Sequence, residues 1–254
     1  MASAAARLLF LCGFPVVILE RETPLAVRRK VSFAEAVFGG EAIVEGVVGR
    51  RVAIDDLKQA LERADALPVA IDPEATSLSA LGASVLVDGR MAKTNLGTHL
   101  DQAALVIGLG PGLTAGQNVS AVVETQRGPD LGQVIWSGAA RENSAHPSPV
   151  LGYSDERVLK APCSGRFRGK AAIGDLVTEG SIVGDVDGAP IRTEIDGLLR
   201  GLLGDGVAIS QGTKVGDVDP RGSAVDPARI SDKARAVAAG TLEAVLLGLR
   251  KLPS

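Results

Sequence analysis

One stretch of this chain repeats itself at a constant offset of 32 residues. Gly165, Arg168, Gly169, Gly174, Gly180, Val183, Gly184, Asp185, Val186 and Asp187 recur as Gly197, Arg200, Gly201, Gly206, Gly212, Val215, Gly216, Asp217, Val218 and Asp219. The alignment needs no gap. Most of the matched residues are glycines, the residue for positive φ and for close backbone approach. Short apolar runs of strand length lie between them, broken by Gly-Asp turns. Each copy therefore predicts a small all-β unit, and two copies predict pairing about a pseudo-twofold axis. Two repeats are too few for a solenoid, so a closed two-fold sandwich is expected.

The residues before the repeat read as α/β. Residues 2–12 are rich in Ala and Leu, and Gly13 ends that helix. Pro15 to Leu19 reads as a buried parallel strand ending in Glu20. An acid at the end of the second strand of a Rossmann unit binds ribose hydroxyls, ~20 residues after the glycine loop. A solvated strand end is the plainer account of Glu20. The chain starts inside the helix, so the first strand and its glycine loop are expected to be lost or to lie upstream of Met1. Arg7 and the run Leu8 to Leu19 imitate a signal peptide, and Leu9 to Cys12 a lipoprotein box. No small-residue cleavage site follows, and Leu11 is too large for a lipobox. No apolar run reaches the ~20 residues of a membrane span.

Thr23-Pro24 predicts a helix start, with proline at its first position. Ser32 and Glu35 form a capping box for a short helix ending at Gly39-Gly40. Arg28, Arg29 and Lys30 lie between; they either grip a phosphate or form a solvated basic face. Residues 42–52 predict a strand pair, and Asp55-Asp56 starts a helix. Two further strands end in Asp72 and Asp88. Ligands of open α/β sheets bind beyond the carboxyl ends of the strands. The densest polar segment follows: Lys93, Thr94, Asn95, Gly97, Thr98, His99 and Asp101. A strand from Ala104 then runs into Gly108-Leu109-Gly110-Pro111-Gly112. Such a turn offers N–H groups to an anion or is simply tight, and Pro111 removes one donor. Trp136 is expected in the core. From Ser231 an amphipathic helix places Val237, Leu242, Val245, Leu246 and Leu249 on its apolar side.

Composition narrows the function classes. The net charge is −3 and aromatic residues make up 3% of 254, so neither a basic patch nor a stacking platform for nucleic acid is expected. Cys12 and Cys163 form no CxxC, and His99 and His146 seed no ligand cluster, so no metal site is expected. A reduced, cytoplasmic protein fits these features. No catalytic nucleophile stands out: Cys163 lacks a base nearby in sequence and reads as a packed thiol.

The segments APCSG, IGDLVTEGSIVGDVDG, IDGLL and GVAISQGTKVGDV resemble the barrel-sandwich hybrid fold of biotinyl and lipoyl carrier domains. Those domains carry a lysine at the hairpin tip between the halves. Here the tip is Val186-Asp187-Gly188-Ala189-Pro190-Ile191 and has none. The resemblance implies that fold without carrier chemistry, because a swinging arm needs an amine to acylate.

A wider resemblance spans nearly all of residues 1–250. ERETPLAVRRKVSFAEAV, VLVDGRMAKTNLGT, LVIGLGPGLTAGQNVSAVVETQRGPDLGQVIWSG, GTKVGDVDPRG and ISDKARAVAAGTLEAVL resemble the selenium-dependent molybdenum hydroxylase system protein family. Members usually begin with an extra strand and a GAGD-type turn that this sequence lacks. The resemblance implies an accessory role in maturing selenium-dependent molybdenum hydroxylases, with the client enzyme as partner.

The sequence therefore predicts an α/β chain. A Rossmann-like domain lacking its first strand and glycine loop covers 1–140 and a linker 141–156. A barrel-sandwich hybrid covers 157–225 and a helix 228–251. The expected ligand is a small anion: a nucleotide, molybdopterin or a selenium donor. Lys93, Asn95, Thr98, Gly108, Gly110 and Gly112 would hold it, with Glu20, Arg28 and Arg29 as a second edge. Two other functions fit the sequence: an NAD(P)-dependent oxidoreductase, and a non-catalytic interaction module. Neither nucleic acid nor membrane is an expected partner.

Overall fold

The computed structural model describes residues 1–142 and 147–251; His146 of the expected linker lies outside them. The chain is mixed α/β with a helix near its C-terminus. In order it forms α1 (Ala2–Leu11), β1 (Ile18–Glu20), α2 (Ala36–Gly39), β2 (Glu41–Val44), β3 (Val47–Arg51), α3 (Leu57–Arg63), β4 (Leu67–Ile71), α4 (Leu78–Leu81), β5 (Val85–Asp88) and β6 (Leu105–Leu109). Then come β7 (Thr114–Ala115), β8 (Ala121–Val123), β9 (Val134–Ile135), β10 (Gly138–Ala139), β11 (Val158–Lys160), β12 (Gly165–Gly169), β13 (Leu176–Val177) and β14 (Ile182–Val186). The last elements are β15 (Ala189–Arg192), β16 (Gly197–Leu202), β17 (Ala208–Ile209), β18 (Lys214–Asp219) and α5 (Asp232–Leu249).

These elements make two compact units, each discontinuous in sequence. The first comprises Met1–Leu19, Val52–Ser144 and Ile230–Ser254; the second comprises Glu20–Arg51 and Ala145–Arg229. The division differs from the linear one that the sequence predicts. The C-terminal helix belongs to the first unit, and residues 20–51 belong to the second.

In the first unit β5, β6 and β8 are parallel neighbours, with β9 antiparallel at the edge. Alternation along β6 sorts its side chains. Leu105, Ile107 and Leu109 pack with Leu9 of α1 and with Val237, Ala244 and Val245 of α5. Val106 packs on the opposite face with Leu113, Ala115, Val119 and Val122. Trp136 is half-buried against the helix-side cluster, and the Lys251 ammonium lies 3.8 Å from its ring centre. The expected apolar side of α5 is corrected at one position: Leu246 is 48% exposed, while Ala238, Thr241 and Ala244 are buried. The small residues let α5 lie close on α1 and β6.

In the second unit the repeat is structural, strand for strand. Shifting β12, β13 and β14 by 32 residues gives the bounds or starts of β16, β17 and β18. The copies exchange a strand. Leu176 of β13 pairs with Leu198 of β16, and Ala208 of β17 pairs with Arg166 of β12, the same pairing shifted by the repeat. The symmetry also reaches β11 and β15, where the sequences match nowhere. Val158 pairs with Asp217 as Pro190 pairs with Asp185, and Leu159 with Gly216 as Ile191 with Gly184. The resulting antiparallel sheets run β11-β18-β16-β13 and β15-β14-β12-β17. Equivalent side chains share one core: Phe167 and Leu199, Val183 and Val215, Val186 and Val218, Leu159 and Ile191. Asp187 and Gly188, at φ 46 and 90, make the two-residue turn between β14 and β15.

Two kinds of glycine hold this arrangement. A Cβ on Gly184 would lie 2.7 Å from the Arg168 carbonyl oxygen, and one on Gly216 would lie 2.6 Å from that of Gly201. These sites need the missing side chain, because the strands touch there. Gly180 and Gly212 have φ of +81 and +78 with open space around them, so they need only the dihedral freedom.

The copies differ at one point with consequences. A bulge shifts the register between Leu199 and Gly201, where the first copy pairs Arg168 with Asp185 regularly. A bulge re-aims its side chain. Arg168 is exposed, whereas Arg200 is half-buried and its NH1 donates to Asp219 Oδ2 at 3.0 Å. Residues 24–28 form no helix, against expectation, because their backbone pairs elsewhere: the Val27 carbonyl accepts from Leu202 N at 2.8 Å. Ser32 does cap the following turn, accepting from Ala34 N at 3.3 Å.

Burial alone would raise the Asp219 carboxyl, but hydrogen bonds and charge from Arg221, with Arg200 beside it, hold it at about 2. A depressed folded pKa gives stability that is full above the ordinary value of 3.8 and lost as pH falls toward 2. Asp219 should contribute about 2 kcal/mol at pH 6. In urea titrations, the gap between the wild type and Asp219→Asn should close as pH falls from about 4 to about 2. The glycines give a second expectation. Gly216→Ala should cost about 1–3 kcal/mol through overpacking, and Gly212→Ala about 1 kcal/mol through φ strain, both read from urea midpoints.

Candidate functional site

Parallel pairing brings the strand ends of the first unit level. Asp88 of β5 stands beside Gly108 of β6, and Leu109 beside Val123 of β8. The segments leaving these ends hold most of the expected ligand residues.

Asp88 anchors the first of them. Its Oδ2 accepts from the Thr98 hydroxyl at 2.5 Å and from Arg90 NH2 at 2.7 Å; Oδ1 accepts from Arg90 Nε at 3.0 Å. Burial pushes the Asp88 carboxyl up, but the Arg90 and Thr98 bonds outweigh it and lower the pKa. Thr98 is 4% exposed, so the knot is dry on that side. Asn95 closes the loop: its Oδ1 accepts from Thr98 N at 2.7 Å, and its Nδ2 donates to the Thr98 carbonyl at 2.8 Å. Thr98 and Asn95 thus shape the loop, and Lys93 and Leu96 stay exposed on it. His99 caps the next turn, its N–H donating to Gln102 Oε1 at 3.1 Å.

The glycine turn seats against this loop. Gly110 and Gly112 have φ of +79 and +95. A Cβ on Gly112 would lie 2.8 Å from the Lys93 carbonyl carbon, and one on Gly110 would lie 2.6 Å from Thr125 Oγ1. Gly112 therefore touches the loop after β5, and Gly110 touches the segment after β8. The Gly110 N–H donates to the Val123 carbonyl at 2.9 Å, so it bonds within the sheet. Gly108 is buried within β6, packed against Leu113. Asp72, another strand-end acid, accepts from Thr76 N and Ser77 N and caps its own loop.

Glu20, Arg28 and Arg29, the expected second edge, fall in the second unit. Arg28 grips Asp217 bidentately, at 2.8 Å to Oδ1 and 2.7 Å to Oδ2. Arg29 donates to the Leu202 carbonyl at 2.9 Å and to Glu35 Oε1 at 2.8 Å. Both arginines fasten residues 27–35 to β16 and β18. The Asp217 pKa is lowered: burial raises it, but the charges of Lys214 and Arg28 and the Arg28 bond prevail. Burial raises the Glu20 pKa against a bond from Arg21 N.

Sequence reading misses Arg90, which lies two residues from Asp88 and is marked only by the short Asp-Gly-Arg run. It also misses a groove of about 400 Å³ in the second unit, lined by Arg21, Leu25, Ala208, Ile209, Ser210 and Thr213. Nothing in spacing signals a groove between segments so distant in sequence. Among the described residues, no group of three His, Cys, Asp or Glu is placed to hold a metal ion. None of the described helices is long and apolar enough to cross a membrane.

No protein-family model matches the chain. It is 44% identical, over 97% of its length, to the uncharacterized protein YqeB of Escherichia coli (strain K12), and it spans 46% of that protein. Among solved structures, an aspartoacylase family protein from Mesorhizobium loti is 16% identical, with a TM-score of 0.24 over 34% of this chain and 27% of that one. A succinylglutamate desuccinylase/aspartoacylase from Rhodobacter sphaeroides is 28% identical, with a TM-score of 0.22 over 25% of this chain and 21% of that one. The ectoine utilization protein EutE of Ruegeria pomeroyi is 22% identical, with a TM-score of 0.24 over 33% of this chain and 28% of that one. Similarity at this level carries no argument about function.

The arginine and the lysine should separate cleanly on mutation. Arg28→Ala leaves Asp217 buried without its bidentate partner and should cost about 3 kcal/mol in urea unfolding. Exposed Lys93→Ala should change stability by less than about 0.5 kcal/mol.

Proposed function

We propose that this protein is an accessory factor in the maturation of selenium-dependent molybdenum hydroxylases, acting in the cytoplasm on the client enzyme. On this reading its first unit binds a small anionic ligand: a nucleotide, molybdopterin or a selenium donor. One observation carries the site. The carboxyl ends of β5, β6 and β8 are level, and the glycine turn after β6 touches both neighbouring segments. Ligands of parallel sheets bind in that position. Lys93 is its exposed cation, and Asn95 and Thr98 hold the loop that presents it. Arg28 and Arg29 are left out of the site, because their donors are committed to Asp217, Leu202 and Glu35.

The finer fold belongs to the same reading. The first unit is a Rossmann-like core. The second is a barrel-sandwich hybrid, supported by the reciprocal pairing of its two copies. Its hairpin tip at Asp187-Gly188 has no amine to acylate, so it serves to dock the client rather than to carry a group.

The test is deletion of the gene in a host that makes the hydroxylase. Client activity should fall, with selenium or molybdenum lost from a polypeptide that persists. Complementation with Lys93→Ala should leave the defect unrepaired. Unchanged activity and metal content would end the maturation reading.

A further inference from the structure

The C-terminal helix brings a cation to the strand ends that no motif foretells. Ser231 caps α5, its hydroxyl accepting from Ala234 N at 3.2 Å. Asp232 follows, and its two oxygens accept from Arg127 at 2.6 and 2.8 Å. Arg127 lies three residues beyond Glu124, which directly follows β8. This bridge fixes the start of α5 at the carboxyl end of β8. A second contact holds it there: a Cβ on Gly132 would lie 2.6 Å from the Ala236 carbonyl oxygen.

Lys233 comes next and is half-buried. The charges around it are Arg127, Glu124, Asp232 and the start of α1. Its acidic neighbours are engaged elsewhere. Glu124, 2% exposed, accepts from Thr125 N and Gln126 N at 2.7 Å and from Arg141 N at 2.8 Å. Asp232 holds Arg127. Among the described residues, the Lys233 ammonium makes no hydrogen bond or ion pair. Burial, then the Arg127 charge, lowers its pKa. An ammonium has three donors and no acceptor, and half-burying it without partners is costly. A negatively charged group at this point would relieve that cost.

The cations at this end also select the kind of anion. The planar guanidinium forks, which fit carboxylates, are taken by protein carboxylates: Arg90 by Asp88 and Arg127 by Asp232. Lys93 and Lys233 remain, and both are compact point charges. Point charges suit a tetrahedral, multiply charged group. We propose that Lys233 is a binding residue which, with Lys93, holds a phosphate group of the ligand at the carboxyl ends of β5, β6 and β8. The proposal rests on the reading of the first unit as an anion site.

The experiment is calorimetric titration of the full chain with pyrophosphate. Wild type should bind. Lys233→Met should weaken binding about tenfold or more, the loss of one charge-assisted contact, while Lys233→Arg retains most of it. The urea midpoint should not fall in either variant, and in Lys233→Met it should hold or rise as the unpaired charge is removed. In parallel, lysines carrying 13C-methyl groups report pKa values by NMR, and pyrophosphate should raise that of Lys233 in the wild-type chain. Wild-type affinity in Lys233→Met with loss in Lys93→Met would overturn the role of Lys233 and leave the site standing. A Lys233 signal unmoved by saturating pyrophosphate would overturn it too, even if the variants fold poorly. No binding by wild type would overturn the anion site itself.

Discussion

The second unit depends on strand exchange between two copies of one motif. β13 of the first copy completes the sheet of the second, and β17 of the second completes that of the first. Neither copy can satisfy its backbone groups or bury its apolar face alone. Within each copy the backbones also approach closely, β14 on β12 and β18 on β16, and Gly184 and Gly216 permit it. The rest of the unit is fitted to that frame: residues 20–51 are tied to it through Val27, Arg28 and Arg29. The second copy adapts to this load. Its bulge turns Arg200 inward toward Asp219, and Asp217 receives Arg28, while the first copy keeps Arg168 in solvent.

Much of this frame is legible in the sequence, because glycines at fixed spacing record where backbones must touch or turn. The symmetry of β11 and β15 is not, since strand pairing constrains backbone register and leaves Val158-Leu159-Lys160 and Pro190-Ile191-Arg192 free to differ. The placement of residues 20–51 is also hidden. Their capping signals at Ser32 and strand alternation at 42–52 are local, whereas the Arg28–Asp217 pair joins residues 189 apart. Local pattern cannot report a partner at that distance. The same limit explains the linear domain boundaries expected from sequence, when α5 returns to pack on α1 and β6.

At the strand ends, sequence reading finds the residues but not their division of labour. Lys93, Asn95 and Thr98 look alike as a polar cluster. Structure separates them: Asn95 bonds Thr98 and Thr98 bonds Asp88, while Lys93 is exposed. Likewise Arg28 and Arg29 read as either a phosphate grip or a solvated basic face until their partners are known. Lys233 is invisible in sequence because an isolated lysine in a helix is unremarkable until its acidic neighbours prove to be occupied. An anion-binding account therefore keeps Lys93 and replaces the second edge of Arg28 and Arg29 with Lys233, 140 positions from Lys93.

The most direct test is amide chemical-shift mapping with inorganic phosphate on the full chain. The account predicts perturbed amides at Lys93 to Thr98, Gly108 to Gly112 and the start of α5. Shifts confined to the second unit, around Arg200 and Arg221 or the Arg21–Ile209 groove, would contradict it.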